Sequence, residues 1–573
     1  MDYLKEYERW LSKTDLDERL KAELISIHGD DDEIRSRFSE CLHFGTGGLR
    51  GFMAAGTNRM NIYTVAQASL GFGNYICSLG ESAKKRGVVI AHDCRNNGVK
   101  FAKTAALTMC RLGINVYVFD GLRPTPELSF AIRELGTIAG INITASHNPK
   151  EYNGYKAYFE DGAQIAGEQA DFVMAEMQKV DPLNIKIMDE KEAVNAGLYH
   201  IVGSELDEKY IQKVLEQKLE LDNLSPEAKD VSIVYSPFYG AGYKLVPHVL
   251  SMIGANVTVV KEQSMPDGDF PTLKSPNPEE KEGMKLAIEL AQKINAELII
   301  ATDPDADRVA MAALLPGGQV EMFTGNQTGV LLADFIITVL KEQDRLPQNS
   351  AIISTIVSTR MIKQICEQNN IKYFEVLTGF KYIGEKIKEF EKDNSYSYLF
   401  GFEESYGYLK GTHARDKDSV VSSMLIAQMA MYYKNKGKNL KQALDDLYKK
   451  YGYFDEKTVN FKIEAAIPME QTAKIMNSLR QDESDNVCGQ PLEEFRDYKQ
   501  KIVKNFVTGE KHETDLPVSD VLYYVFKDGT SVAVRPSGTE PKVKLYVMAR
   551  GENKFDCSEK INKYLDIFEG LIK

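Results

Sequence analysis

The chain of 573 residues lacks a CxxC pair, an apolar run long enough to span a membrane, and any excess of positive charge. Its seven cysteines, Cys41, Cys77, Cys94, Cys110, Cys366, Cys488 and Cys557, are odd in number and widely spread. That disfavours a disulfide framework or a zinc site and suits a reducing compartment. The opening Met1-Asp2-Tyr3-Leu4-Lys5-Glu6 is charged and has no apolar stretch of the signal-peptide kind. The most apolar run, Val330 to Leu340, is broken by Asp334 and falls short of the ~18 residues a span requires. Seventy Lys and Arg against 83 Asp and Glu leave a net charge of −13, which disfavours nucleic acid or an anionic membrane surface as partner. A cytoplasmic, multidomain protein with no nucleic-acid or membrane partner is expected.

An apolar content of 43% with 27% charged residues is ordinary for a folded chain, and the length predicts three to five domains. Short β-rich runs alternate with longer amphipathic stretches. Val88–Ala91 and Asn115–Phe119 read as strands flanking a helix over Lys100–Leu112. The pattern resumes at Val231–Tyr235, Val257–Val260, Leu298–Ala301 and Ile352–Val357. Such alternation implies βαβ crossovers and mostly parallel sheets. Asn277-Pro278-Glu279-Glu280 has the pattern of a helix start, with Met284, Ala287, Ile288, Ala291 and Ile294 on one face. The C-terminal part differs. Val521–Phe526 and Ser531–Val534 flank the turn Lys527-Asp528-Gly529-Thr530, Val543–Ala549 adds a strand and Lys554–Leu571 a helix, giving an α+β domain with an antiparallel sheet. Polar stretches near 186–206, 435–455 and 316–325, the last marked by Pro316-Gly317-Gly318, are candidate boundaries.

Three strands in the α/β part run into unusual polar segments: Thr144-Ala145-Ser146-His147-Asn148-Pro149, Asp303-Pro304-Asp305-Ala306-Asp307-Arg308 and Gly401-Phe402-Glu403-Glu404-Ser405. Ligands of open α/β sheets bind at such carboxyl ends, so a site assembled between domains is expected. Three alternating carboxylates repel one another unless a hard divalent cation neutralises them, and three protein ligands leave room for water and a phosphate oxygen, as Mg²⁺ prefers. Arg308 and Leu314 stand where an EF-hand needs Gly and Glu, which excludes that loop. A solvated acidic turn is the plainer alternative, and a haloacid-dehalogenase phosphatase, with Asp303 as nucleophile and Asp305 as acid, a chemical one.

Ser146 is the nucleophile candidate, although no GxSxG elbow surrounds it and a Ser-His pair often serves only as a turn. Arg535-Pro536-Ser537-Gly538-Thr539-Glu540-Pro541-Lys542 combines a guanidinium, hydroxyls and a glycine, suited to an anion or to a simple turn. Gly45-Thr46-Gly47-Gly48-Leu49-Arg50-Gly51 matches neither GxGxxG nor Walker A spacing, so nucleotide binding is not indicated. Glu403 and Ser405 could bond vicinal sugar hydroxyls.

Together these blocks, in order and spread over nearly the whole chain, resemble the α-D-phosphohexomutases. The resemblance implies three related α/β domains with mixed, mostly parallel sheets and a C-terminal α+β domain around a central cleft. We assign residues 1–205 to the phosphoserine loop domain, 206–320 to the metal-binding loop domain, 321–450 to the sugar-binding loop domain and 451–573 to the phosphate-binding loop domain. Ser146 then resembles the serine that carries a phosphoryl group, and Ser146, Asp303, Asp305 and Asp307 resemble ligands of one Mg²⁺ per chain. Lys417 is similar to the general acid/base, with His147 as competitor, and Arg308 adds charge. Arg50, Arg95, Lys156, Thr378, Gly379, Lys381, Glu403, Ser405, Arg415, Arg535, Ser537, Gly538, Thr539 and Lys544 resemble substrate-binding positions. The implied reaction interconverts glucose 1-phosphate and glucose 6-phosphate, with glucose 1,6-bisphosphate as activator and intermediate. Phe402 stands where the family usually has Gly; with Asn153-Gly154-Tyr155-Lys156 and the long N-terminal segment, this resembles a branch that includes phosphopentomutases. Pentose or mannose phosphates are therefore alternative substrates, and a non-catalytic sugar-phosphate sensor is a distant alternative. A monomer or weak homo-oligomer is expected. The basic residues named here would form a basic cleft within an acidic exterior, reconciling −13 with an anionic substrate.

Overall fold

A computed structural model describes residues 2–44, 47–463, 468–481, 484–536 and 542–573. The chain forms two compact bodies. One comprises residues 1–323, 384–393 and 405–437; the other comprises 324–383, 394–404 and 438–573. Four domains of the expected kinds are present: three with mixed or parallel sheets, and a C-terminal one with an antiparallel sheet.

The first sheet is centred on Val88–His92, whose five residues are all buried. Ala139–Ile143 and Val116–Phe119 lie parallel on either side, and Tyr199–Val202 extends the sheet in parallel. Tyr152–Phe159 and Gly48–Phe52 complete the other edge antiparallel. Successive residues serve opposite cores, as pleating requires. Val88 and Ile90 join Phe72, Phe101 and Ile141, whereas Val89 and Ala91 join Leu128, Ile132 and Leu206. Burial on both faces explains why this strand is a continuous apolar run. The polar stretch 186–206, a candidate boundary, folds as the helix Glu190–Asn195 and the edge strand Tyr199–Val202. Ahead of the sheet, helices Tyr3–Ser12, Glu18–Ser26 and Asp31–Phe38 begin on aspartate caps, Asp2, Asp17 and Asp30, and close around buried Trp10, Leu24 and Phe38.

The second sheet of this body places Ser232–Ser236 between Asn256–Val259 and Leu298–Thr302, all parallel, followed antiparallel by Val309–Leu314 and Val320–Met322. Pro316-Gly317-Gly318 is the turn of that last hairpin, with φ of 88° and 82° at the two glycines, and the break between the two bodies follows it, between residues 323 and 324. The expected helix start at Asn277 is also corrected. Asn277 caps only a turn, accepting from the Glu279 amide, and the helix begins at Lys285 after Gly283. Helix Ser419–Asn435 packs on helix Gly242–Met252, so this segment of the third α/β region belongs with the first body.

In the second body, Ser350–Thr355 lies parallel to both Lys372–Val376 and Ser397–Glu403. The stretch 435–455 contains helix Leu440–Tyr451, capped by Asn439. Tyr453–Lys462, Lys542–Gly551, Ser531–Pro536, Leu522–Phe526 and Gln490–Asp497 follow one another antiparallel, and Lys554–Ile572 covers the sheet. The hairpin at 527–530 forms as predicted, with Gly529 at φ 83°. Ile356, Val357 and Leu377 share an apolar cluster with Tyr498, Tyr523 and Tyr546, joining the parallel and antiparallel sheets. Among the described residues no helix is long and apolar enough to cross a membrane.

Candidate active site

Ser146 follows the carboxyl end of Ala139–Ile143, is 3% exposed and has a left-handed φ of 52°. Its amide donates to Thr144 Oγ1 at 2.8 Å, and Thr144 Oγ1 donates to Asp93 Oδ2 at 2.6 Å. Its own Oγ donates to Asp303 Oδ2 at 2.8 Å and lies 3.1 Å from His147 Nδ1. Burial and the cations of Arg308 and Arg50 hold His147 well below the usual imidazole range, so the ring is neutral.

The loop 303–308 curls because Ala306 adopts φ 50° and because Asp303 Oδ1 accepts the amides of Asp307 and Arg308 at 3.1 and 3.0 Å. Asp303, Asp305 and Asp307 thereby bring one carboxylate oxygen each within 4.8 Å of one another, all buried. Burial together with its two neighbours pushes the Asp303 carboxyl well above the normal range. Burial opposes ionisation of Asp305 too, but Lys156 beside it outweighs that and holds Asp305 low. Lys156 Nζ stands 2.7 Å from Asp305 and 3.5 Å from Asp307. Thr125 Oγ1 donates to Asp305 at 2.9 Å and accepts from Asn142 Nδ2 at 2.8 Å. Buried Asp305 Oδ1 and Asp307 Oδ1 have no hydrogen-bond partner. Two orphaned anionic oxygens in a set of three hard donors fit a divalent cation such as Mg²⁺, and do not fit a solvated turn.

Lys417 reaches the same group, with Nζ 3.4 Å from Asp307 and 2.9 Å from Asp416. Its stem passes Gly407, where a Cβ would stand 2.0 Å from Lys417 Cδ. Arg308 pairs with Glu279 at 2.6 Å, and exposed Arg50 donates to Asn148 Oδ1 at 2.9 Å. Two residues expected to bind substrate have partners within the first body. Buried Arg415 binds the Thr412 carbonyl and Glu391. Buried Arg95 bonds backbone carbonyls of the Ser146 loop. Ser405 also lies in the first body, in the turn whose Tyr406 carbonyl accepts from Val309 at 3.0 Å.

The second body carries the other blocks. Glu403 ends its strand, is 4% exposed, and accepts the Gly379 amide at 2.8 Å, which ties it to Thr378-Gly379-Phe380-Lys381. Lys381 lies over the Tyr382 ring. Arg535 and Lys544 are direct cross-strand partners. Like charges so placed repel unless an anion joins them. Burial and the Glu404 charge raise the Tyr546 phenol, with Arg535 beside it. Ser537, Gly538 and Thr539 lie outside the described residues. Phe402 is fully buried on Gly329, where a Cβ would meet its ring at 2.4 Å, so its replacement of the family glycine is a packing feature.

Sequence reasoning missed Asp93, Thr125, Asn142 and Tyr546 as parts of these groups. Asp93 had one available signal, the segment His92-Asp93-Cys94-Arg95 at the carboxyl end of the central parallel strand.

Four family domains match the chain consecutively: phosphoglucomutase/phosphomannomutase α/β/α domain I over residues 42–184, domain II over 208–314, domain III over 324–451 and the C-terminal domain over 475–556. A curated relative named phosphoglucomutase from Staphylococcus epidermidis is 35% identical over 549 residues, covering 96% of this chain and 97% of its own. Another, from Staphylococcus aureus, is 35% identical and covers 92% and 93%. Among solved structures, the open form of Paramecium parafusin aligns with a TM-score of 0.66 at 17% identity, covering 92% of this chain and 94% of its own. A phosphoglucomutase/phosphomannomutase family protein of Burkholderia thailandensis aligns at 0.65 and 16%, covering 92% and 97%. With full-length relatives and all four domain families in register on the fold described above, the chain belongs to the phosphoglucomutase/phosphomannomutase family.

Proposed function

We propose that this enzyme is a phosphoglucomutase, interconverting glucose 1-phosphate and glucose 6-phosphate. Ser146 exchanges a phosphoryl group with the sugar through glucose 1,6-bisphosphate, which also activates the enzyme. The observation that carries the reading is the Ser146 hydroxyl 2.8 Å from the buried Asp303 of the carboxylate triplet. The naming of full-length relatives supports the glucose substrate.

Phosphoryl transfer needs positioning and charge neutralisation more than covalent chemistry. Asp303, Asp305 and Asp307, with an oxygen on Ser146, would hold one Mg²⁺. When bound, that ion supplies neutralisation of the transferring phosphate oxygens. Lys156 adds positive charge at the same carboxylates. Lys417, as the neutral amine, takes the proton of the attacking sugar hydroxyl, and His147 Nδ1 stands 3.1 Å from Ser146 Oγ. In the second body, Glu403 holds sugar hydroxyls while Arg535 and Lys544 bind the phosphate that is not reacting. The cations raise the local potential of a chain whose net charge is −13, so a small anionic sugar is compatible with that charge.

The test is intact-mass measurement with phosphosite mapping before and after glucose 1,6-bisphosphate. A single added phosphate on Ser146, removed by excess substrate, is expected. A hydroxylamine-labile phosphate on Asp303 would select the dehalogenase-type chemistry. Initial rates on ribose 1-phosphate and mannose 1-phosphate, expected below that on glucose 1-phosphate, decide the sugar.

A further inference from the structure

A guanidinium has five N–H donors and no acceptor. In Arg95 all five are directed inward. Nη1 donates to the carbonyls of Pro149 and Tyr152 at 2.8 and 3.0 Å, and Nη2 to those of Ser146 and Asn148 at 2.6 and 2.5 Å. Nε faces Asp93 Oδ2 at 3.2 Å, with both side chains fully buried. The Phe270 ring covers the guanidinium at 5.3 Å. Four N–H groups are thus hydrogen-bonded, and the fifth, on Nε, makes no hydrogen bond but is fully buried beside Asp93.

Asp93 completes the arrangement. Its Oδ1 accepts the Arg95 amide at 2.9 Å, and its Oδ2 accepts Thr144 Oγ1 at 2.6 Å. Thr144 in turn accepts the Ser146 amide at 2.8 Å. The carbonyl of Ser146 is thus held by Arg95 and its amide by Thr144, and both holders are tied to Asp93. Between these two contacts Ser146 has φ 52°, a conformation that a residue with a Cβ keeps only when its surroundings impose it.

We propose that Asp93 and Arg95 are a positioning pair that holds the Ser146 backbone left-handed and so aims its Oγ at Asp303, and that Arg95 does not bind substrate. This rests on Ser146 being the phosphoryl carrier. Misplacing a reacting group by about 1 Å costs ~10²-fold in rate, which sets the expected size. Asp93→Asn, Arg95→Gln and the double variant are compared with wild type for kcat, KM on glucose 1-phosphate, thermal melting, and the rate of Ser146 phosphorylation by glucose 1,6-bisphosphate. Each single change is expected to lower kcat and the phosphorylation rate about 100-fold with KM within about 3-fold. The double variant is expected to be no worse than the poorer single. Arg95→Gln raising KM tenfold with kcat intact, or two single losses that multiply, would overturn the pairing. Should these variants fold poorly, Thr144→Val removes only the hydroxyl link; kcat about 10-fold lower at unchanged KM is expected, and unchanged kcat overturns the proposal. Wild type that takes no phosphate on Ser146 defeats the functional reading itself. Phosphorylated wild type alongside unimpaired Asp93→Asn defeats only this inference.

Discussion

The hydroxyl of Ser146 donates to the Asp303 carboxylate at 2.8 Å, joining residues 157 positions apart at the carboxyl ends of two parallel strands from two different sheets. A phosphoryl group on that oxygen places a dianion beside three buried carboxylates, an arrangement that only added positive charge makes tolerable. Chelation is therefore expected to destabilise the phosphorylated protein more than the unphosphorylated one. Melting curves with and without EDTA should show the larger fall, by several degrees, for the phosphorylated form; equal falls would dissociate the triplet from the phosphate.

Lys417 and His147 make opposite predictions as general base. Lys417→Gln is expected to lower kcat by ~10²–10⁴-fold, the usual worth of a positioned acid or base. His147→Gln should lower it less than about 10-fold, because burial and the Arg308 and Arg50 charges make its ring a poor proton acceptor. Steady-state rates of the two variants decide, and a reversed order reassigns the base.

Gly240 lies against the metal-binding loop. A Cβ there would stand 2.4 Å from Pro304 Cα and 2.6 Å from its carbonyl oxygen, which already accepts the Ala241 amide at 2.8 Å. Gly240→Ala must push Pro304 and its neighbouring aspartates aside. Divalent-ion affinity by titration calorimetry is expected to fall at least about tenfold. Gly570→Ala, in the terminal helix with nothing within 4 Å of the new methyl, should leave affinity unchanged and add up to about 1 kcal/mol of helix stability.

Glu456 ties stability to pH. Burial, with the Asp455 charge a lesser contributor, raises its carboxyl from 4.5 to about 7, despite hydrogen bonds from Thr359 and Asn326. The folded protein thus favours the protonated acid. The associated stability is fully present below pH 4.5 and is lost as pH rises through about 7. Glu456→Gln is expected to flatten this dependence, gaining at most about 3 kcal/mol at pH 8 and almost nothing near pH 4 in urea unfolding. Parallel curves for the two proteins across that range would refute it.

Much of the fold was legible because its signals are local. The buried parallel strand Val88–His92 is apolar throughout, and the 527–530 hairpin carries its turn in four adjacent residues. Where reading failed, a local signal was put to a different use. Asn277 has the side chain of a helix cap but caps a turn, since Gly283 intervenes before the helix at Lys285. Pro316-Gly317-Gly318 bends a hairpin, and the boundary it suggested near 316–325 falls just after it, where the first body gives way to the second at residue 324. The stretch 186–206 is polar although it holds a strand, because an edge strand needs only one neighbour and little apolar sequence; it lies between the matched domains I and II.

The candidate site divides along the same line. The aspartate triplet was readable from sequence, because three carboxylates within five residues must contend with one another however the chain folds. Arginine and lysine were readable only as charges. Folding directed Lys156 to Asp305, engaged Arg415 with Glu391, and surrounded Arg95 with carbonyls and Asp93. Sequence by itself determined which groups could bind an anion, a metal or a phosphoryl group. Only the tertiary structure decided which of them are already engaged and buried, because burial and the direction of each donor are set by residues distant in the chain.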